Sequence, residues 1–127
     1  MNERHTALGI GNAAYAEVSP LTNPRNDADD IAAVLAARGF TVIKKTDCTH
    51  KDMDLVLKEF RTALKGSDVG LFFFAGHGMQ IDGENYLAAV DADADSEIDA
   101  KHSSLALNRV IETMEKSGTA TDLLPRN

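Results

Sequence analysis

Gly70-Leu71-Phe72-Phe73-Phe74-Ala75-Gly76-His77-Gly78 is an apolar run that ends on a histidine held between two glycines. A run with no polar face reads as a strand in the centre of a sheet covered on both sides, with Asp68 to Ala75 as its extent. Open α/β sheets carry their functional groups beyond the carboxyl ends of such strands, which makes His77 the first candidate. An imidazole with an ordinary pKa of about 6.5 can take a proton from a thiol or hydroxyl and return it to a leaving group. The flanking glycines fit that role, because they allow a substrate backbone close and leave Gly78 an unhindered amide proton to offer an oxyanion. The plainer alternative is a histidine that merely ends a strand. A base of this kind wants a nucleophile, and the chain supplies no convincing one.

Working outward, the residues before the run alternate strand and helix patterns. Thr6 to Ile10 is a short apolar strand followed by Gly11-Asn12 as a turn, and the prolines at 20 and 24 mark a loop over Val18 to Arg25. Asn26 or Asp27 is expected to cap a helix with Ala28, Ile31, Ala32 and Leu35 on one stripe and Gly39 as its stop. Phe40 to Thr46 is rich in β-branched residues. Thr49 is expected to cap a second helix, since Met53, Val56, Leu57, Phe60 and Leu64 repeat at helical spacing before Gly66. Strand, helix, strand, helix, strand implies a largely parallel sheet with right-handed crossovers.

Beyond His77, Met79-Gln80-Ile81 and Asn85-Tyr86-Leu87 flank Asp82-Gly83-Glu84, the signature of a tight hairpin. Asp91, Asp93, Asp95, Glu97 and Asp99 then alternate with small residues and read as a solvated acidic loop. Leu105 to Lys116 is expected to be one helix stopped by Gly118, with Thr119 to Leu124 a last short strand.

The bulk numbers narrow the function classes. With 127 residues, 43% of them hydrophobic, the chain is expected to form one domain over 1–127. A formal charge of -7 works against binding a phosphate backbone, and Lys44, Lys45 and Lys51 are scattered among acids rather than gathered into a basic patch, so no nucleic-acid partner is expected. The single cysteine, Cys48, rules out an intramolecular disulfide, and nothing resembles a signal peptide or a membrane span. No membrane association and a cytoplasmic location are the expectations.

The remaining candidate sites are weaker. Cys48 lies in a polar turn with His50 nearby, which reads as a bland thiol more readily than as a nucleophile. His5, His50 and His102 lack partners at zinc-ligand spacing. The carboxylates of Asp91, Asp93 and Asp95 are candidates for calcium, although the stretch lacks the glycine and terminal glutamate of an EF-hand loop. Gly9-Ile10-Gly11-Asn12 lacks both the third glycine of a dinucleotide fingerprint and the Lys-Ser/Thr of a P-loop.

Several of these stretches together resemble the caspase-like cysteine peptidases of the C14 family, in particular the bacterial metacaspase or orthocaspase type. They are Leu8-Gly9-Ile10-Gly11-Asn12-Ala13-Ala14-Tyr15, Leu21-Thr22-Asn23-Pro24-Arg25-Asn26-Asp27-Ala28, Gly39-Phe40, and Phe72 to Gln80 with Asp82-Gly83 and Asn85-Tyr86-Leu87. They cover nearly the whole chain as the large, p20-like, amino-terminal subunit of that fold. The resemblance implies a three-layer α/β/α caspase-haemoglobinase-like fold, a mostly parallel sheet with helices on both faces and the carboxyl-terminal small-subunit region absent.

Carried over by position, His77 resembles the base of the Cys-His dyad and Gly78 an oxyanion-hole donor. The family's cysteine ends the strand after the last helix, where this sequence reads Leu123-Leu124-Pro125-Arg126-Asn127. Arg126-Asn127 match the family's tail, so Pro125 stands at the nucleophile position. Leu123 replaces the acid associated with accepting a basic P1 side chain. Proline has neither a nucleophile nor an amide proton for the oxyanion hole, so the resemblance implies a non-catalytic homologue or a regulatory or assembly module. The alternative is an active cysteine endopeptidase cleaving after Arg or Lys, with a nucleophile elsewhere such as Cys48. Metacaspase-type relatives often require calcium, which keeps Asp91, Asp93 and Asp95 in view. An exposed sheet edge after the fourth parallel strand implies homodimerisation, strand exchange, or pairing with another caspase-like chain.

Overall fold

The computed structural model describes residues 3–15, 24–93 and 95–126. Its main sheet has four parallel strands in the order β2-β1-β3-β7, formed by β1 (His5–Gly11), β2 (Thr41–Thr46), β3 (Val69–Ala75) and β7 (Ala120–Arg126). The apolar run is therefore an interior strand, with β1 on one side and β7 on the other. Helices α1 (Pro24–Ala37) and α2 (His50–Leu64) make the crossovers between successive strands of this sheet.

Strand alternation distributes the side chains of β1 and β3 between two layers. Ala7, Leu71 and Phe73 face α1, where Ala28, Ile31 and Leu35 meet them. Leu8, Ile10, Phe72 and Phe74 face the other way, onto Met53, Val56, Phe60 and Leu64 of α2 and onto Val110 and Met114 of α4 (Leu107–Lys116). The architecture is thus α/β/α in three layers, with helices on both faces of a parallel sheet.

Local chemistry explains most of the element boundaries. Thr49 closes a capping box with Asp52: its hydroxyl accepts from the Asp52 amide while the Asp52 carboxylate accepts from the Thr49 amide. A second, antiparallel sheet in the order β4-β5-β6 follows His77, formed by β4 (Gly78–Ile81), β5 (Glu84–Ala88) and β6 (Ser104–Ala106). Its hairpin turns on Asp82 and Gly83, both at positive φ (53° and 81°), as a type I′ turn demands.

Three expectations need correction. The first helix begins at Pro24, upstream of the Asn26 or Asp27 cap, because proline's fixed φ and missing amide suit a first helical turn. The sequence read as a helix from Leu105 divides into β6 and then α4, because Ser104, Leu105 and Ala106 pair with Ala88, Leu87 and Tyr86. The acidic stretch is a loop only in its first part, since Ser96 caps a short helix, α3 (Glu97–His102), by accepting from the Asp99 amide. Most of the loop read over Val18 to Arg25 lies outside the described residues.

A close contact in the sheet is made between neighbours Gly9 and Phe73, whose Cα atoms are partners in register. A Cβ at position 9 would sit 1.9 Å from Phe73 Cζ, so the fully buried ring occupies the space that a side chain on β1 would take. Gly9→Ala is expected to cost about 1–3 kcal/mol by overpacking, and Phe73→Ala about 3–5 kcal/mol by leaving a cavity. Urea denaturation of both single variants and the double variant checks the contact, because the double variant should be more stable than the sum of the single losses allows.

Candidate active site

His77 lies just beyond the carboxyl end of β3, after Gly76, and its backbone is fixed at both poles. Its amide donates to Tyr15 Oη at 2.8 Å, and its carbonyl accepts from the Ala88 amide at 2.9 Å. The Tyr15 ring lies against the imidazole with centroids 4.6 Å apart at 58°. The tyrosine hydroxyl in turn donates to the Ala88 carbonyl at 3.2 Å, so a single buried side chain ties the histidine to β5. Gly76 is what lets the chain pass so close, because a Cβ there would lie 2.5 Å from Tyr15 Oη and 2.7 Å from Phe74 Cζ.

Asn12, fully buried at the end of β1, reinforces the same edge. Its side-chain amide donates to the Ala88 carbonyl at 3.0 Å and its Oδ1 accepts from the Cys48 amide at 2.8 Å. Its backbone amide donates to the Ala75 carbonyl at 2.8 Å. Asp47 holds the following residues: Oδ1 accepts from the amides of Ala13 and Ala14, and the Asp47 backbone adopts a left-handed φ of 52°. Asn12, Tyr15 and Asp47 carried no role in the sequence reading. The one signal available was their place, a polar residue at the end of an apolar run followed three positions later by tyrosine.

Gly78 begins β4 and pairs with Leu87. Because the Ala88 amide donates to His77's carbonyl, the Gly78–Leu87 pair is of the non-hydrogen-bonded kind, and the Gly78 amide points away from β5. Gly78 is exposed, so this donor faces open space beside the imidazole's own residue.

Pro125 lies on β7 with Phe74 as its register partner, and Arg126 pairs with Ala75. Position 125 is therefore on the strand next to β3, at the carboxyl edge that His77 occupies. Cys48, in contrast, follows β2, two strands from β3, a lateral separation of about 10 Å. It is buried, and burial, reinforced by the carboxylates of Asp52 and Asp47, pushes its thiol up to about 11. Burial likewise pushes the Tyr15 phenol up to about 12.

Two of the acidic candidates accept from backbone amides. Asp91 Oδ1 accepts from the His50 amide, and Asp93 Oδ1 from the Asp95 amide. Among the described residues no three His, Cys, Asp or Glu side chains stand close enough to share a metal ion. Nor is any helix among them long and apolar enough to cross a membrane.

A histidine beyond a central parallel strand, an outward amide from the next residue and a hairpin built onto it agree with the comparison by sequence, in which the caspase domain of the C14 peptidases matches residues 4–121. The chain belongs to the caspase-domain family. It is also similar to the human mucosa-associated lymphoid tissue lymphoma translocation protein 1 and to its mouse homologue. Each is 34% identical over 86 residues, which is 68% of this chain and 10% of the relative. The chain spans about a tenth of the length of these curated relatives.

Two expectations test the geometry of this caspase domain. Tyr15→Phe should keep the ring but leave the His77 amide without its acceptor, costing about 1–3 kcal/mol in urea denaturation and speeding hydrogen exchange at that amide. The second concerns pH. Both raised groups are neutral when protonated, so between their ordinary and folded values the folded chain binds more protons than the unfolded one, and stability falls as pH rises. Cys48's contribution is complete below pH 9 and lost towards 11, and Tyr15's is complete below pH 10 and lost towards 12. Melting temperatures measured from pH 8 upward should decline, and Cys48→Ala should flatten the part of the decline that begins near pH 9.

Proposed function

We propose that this caspase domain is a non-catalytic member of its family: it keeps the dyad histidine, His77, and the oxyanion donor, Gly78, but has Pro125 at the position of the nucleophile, and it serves as a regulatory or assembly module. The observation that carries this reading is the β3–β7 register, which sets Pro125 beside Phe74 at the same edge of the sheet as His77. A proline there has no group to attack a carbonyl and no amide proton to stabilise the resulting oxyanion. Histidine alone, however well aimed, has nothing to activate.

Cys48 does not fill the vacancy. A thiol with a pKa of about 11 holds little thiolate at neutral pH, and its strand is separated from β3 by β1. An assembly role suits the fold because β7 pairs only with β3 among the described strands. Its outer edge offers backbone groups to a second copy or to another caspase-like chain. Within the family, the reading is of the bacterial metacaspase or orthocaspase type, acting in the cytoplasm.

The test is peptidase activity of the purified chain on fluorogenic Arg, Lys and Asp peptides, with and without calcium, beside His77→Ala. No turnover is expected from either protein, and the variant should melt at nearly the same temperature as the parent. Turnover that disappears in His77→Ala would overturn the proposal and make the chain an active cysteine endopeptidase.

A further inference from the structure

The sequence shows no basic patch, yet the folded chain assembles one. Between α2 and α4 lies a groove of about 480 Å³, and five of the chain's 13 lysines and arginines line it: Lys58 and Arg61 from α2, Lys65 from just beyond its end, Arg109 and Lys116 from α4. Glu112 is the only acid among the lining residues. Helix geometry produces the convergence. Residues 58 and 61 stand one turn apart on α2, with Lys65 lining the same groove just past its end, residues 109 and 116 are two turns apart on α4, and each stripe extends about 10 Å.

Helix ends do not account for the arrangement. Cations in the last turn of a helix offset its dipole, which covers Arg61 and Lys116. Lys58 and Arg109 stand further from those ends, and Arg109 is held across the groove by Asp54 on α2, Nη1 to Oδ1 at 2.9 Å. The other four cations have no ion pair among the described residues and are exposed. In a chain of net charge -7, four unpaired cations gathered in one concavity are a local reversal of sign. Both helices end just before β3 and β7 begin, so the groove lies towards the edge of the sheet opposite His77.

We propose that the α2–α4 groove is a docking site for an acidic peptide segment of a partner protein. Charge complementarity selects an anion, and the lining narrows its class. No aromatic side chain is present to stack a base, so single-stranded nucleic acid lacks the contact that usually holds it. Glu112, in the middle of the α4 row, is an acceptor that a polyphosphate has no proton to satisfy but that a peptide N–H fits. Side chains on one face of an extended peptide recur every 6–7 Å or so, which lets two carboxylates lie within the length of each cationic stripe. The site is independent of His77 and Pro125, and it stands whether or not the chain cleaves peptides.

The experiment uses the intact chain and fluorescein-labelled hexapeptides: one alternating Asp with Ala, its Asn-Ala counterpart, and a single-stranded oligothymidine of equal charge. Fluorescence anisotropy should show saturable binding of the Asp peptide, weakened at least tenfold between 50 and 300 mM salt, and no binding of the Asn peptide. Lys58→Glu combined with Arg61→Glu and Lys116→Glu should weaken the Asp peptide at least tenfold while circular dichroism stays unchanged. Should that triple variant unfold, Lys58→Gln with Lys116→Gln is the milder substitute, expected to weaken binding about threefold or more. Absence of saturable binding, binding that survives charge removal in a folded variant, or oligothymidine binding as tightly as the Asp peptide would each overturn the proposal. His77→Ala should bind the Asp peptide like the parent, and a loss there would overturn the placement of the site.

Discussion

The carbonyl of Ala88 is the point on which the working edge of this domain depends. Parallel strands end in loops whose backbone groups have no ladder partner, and burying such groups unpaired is costly. Here one acceptor takes two side-chain donors, Asn12 Nδ2 and Tyr15 Oη, while the Ala88 amide reaches the His77 carbonyl. β1, the loop after β3 and the hairpin strand β5 are thereby locked to one another. The same Asn12 side chain reaches the start of the segment that leads into α2 through the Cys48 amide. The small antiparallel sheet is held at a fixed distance from the large one because these two residues span the gap.

The molecule separates its sheet edges by chemistry. At the carboxyl edge, hydrogen bonds with Tyr15 and Ala88 fix the backbone of the residue that carries the imidazole. Towards the opposite edge, exposed side chains of one sign gather between two helices. Net charge describes neither place. Burial raises the pKa of the thiol and phenol nearest the first edge, which extends upward the pH range over which both stay neutral.

Much of this was legible in the residues. The run Leu71 to Ala75 has no polar face and could only be an interior strand. Asp82-Gly83 announced its turn through the φ values that few other residue pairs tolerate, and Thr49 announced a helix cap. What escaped was tertiary. Leu105 fits a helical stripe and a short strand equally well, and pairing with β5 decided between them. Ser96 reads as one more small polar residue until its hydroxyl caps the Asp99 amide. Asn12 and Tyr15 matter through acceptors more than sixty positions away, and the cations of α2 and α4 each look like an ordinary solvated face until the helices lie side by side.

The anchorage of His77 has a consequence for how such a domain changes over generations. Both backbone groups of His77 are bonded to residues of the first half of the main sheet's edge and of the hairpin, Tyr15 and Ala88, and neither bond uses β7. The backbone of the loop that carries the imidazole is therefore tied down from the β1 and β5 sides. Substitutions at position 125 within a lineage leave both of those backbone bonds in place. The placement of the histidine then records the integrity of its contacts to Tyr15 and Ala88.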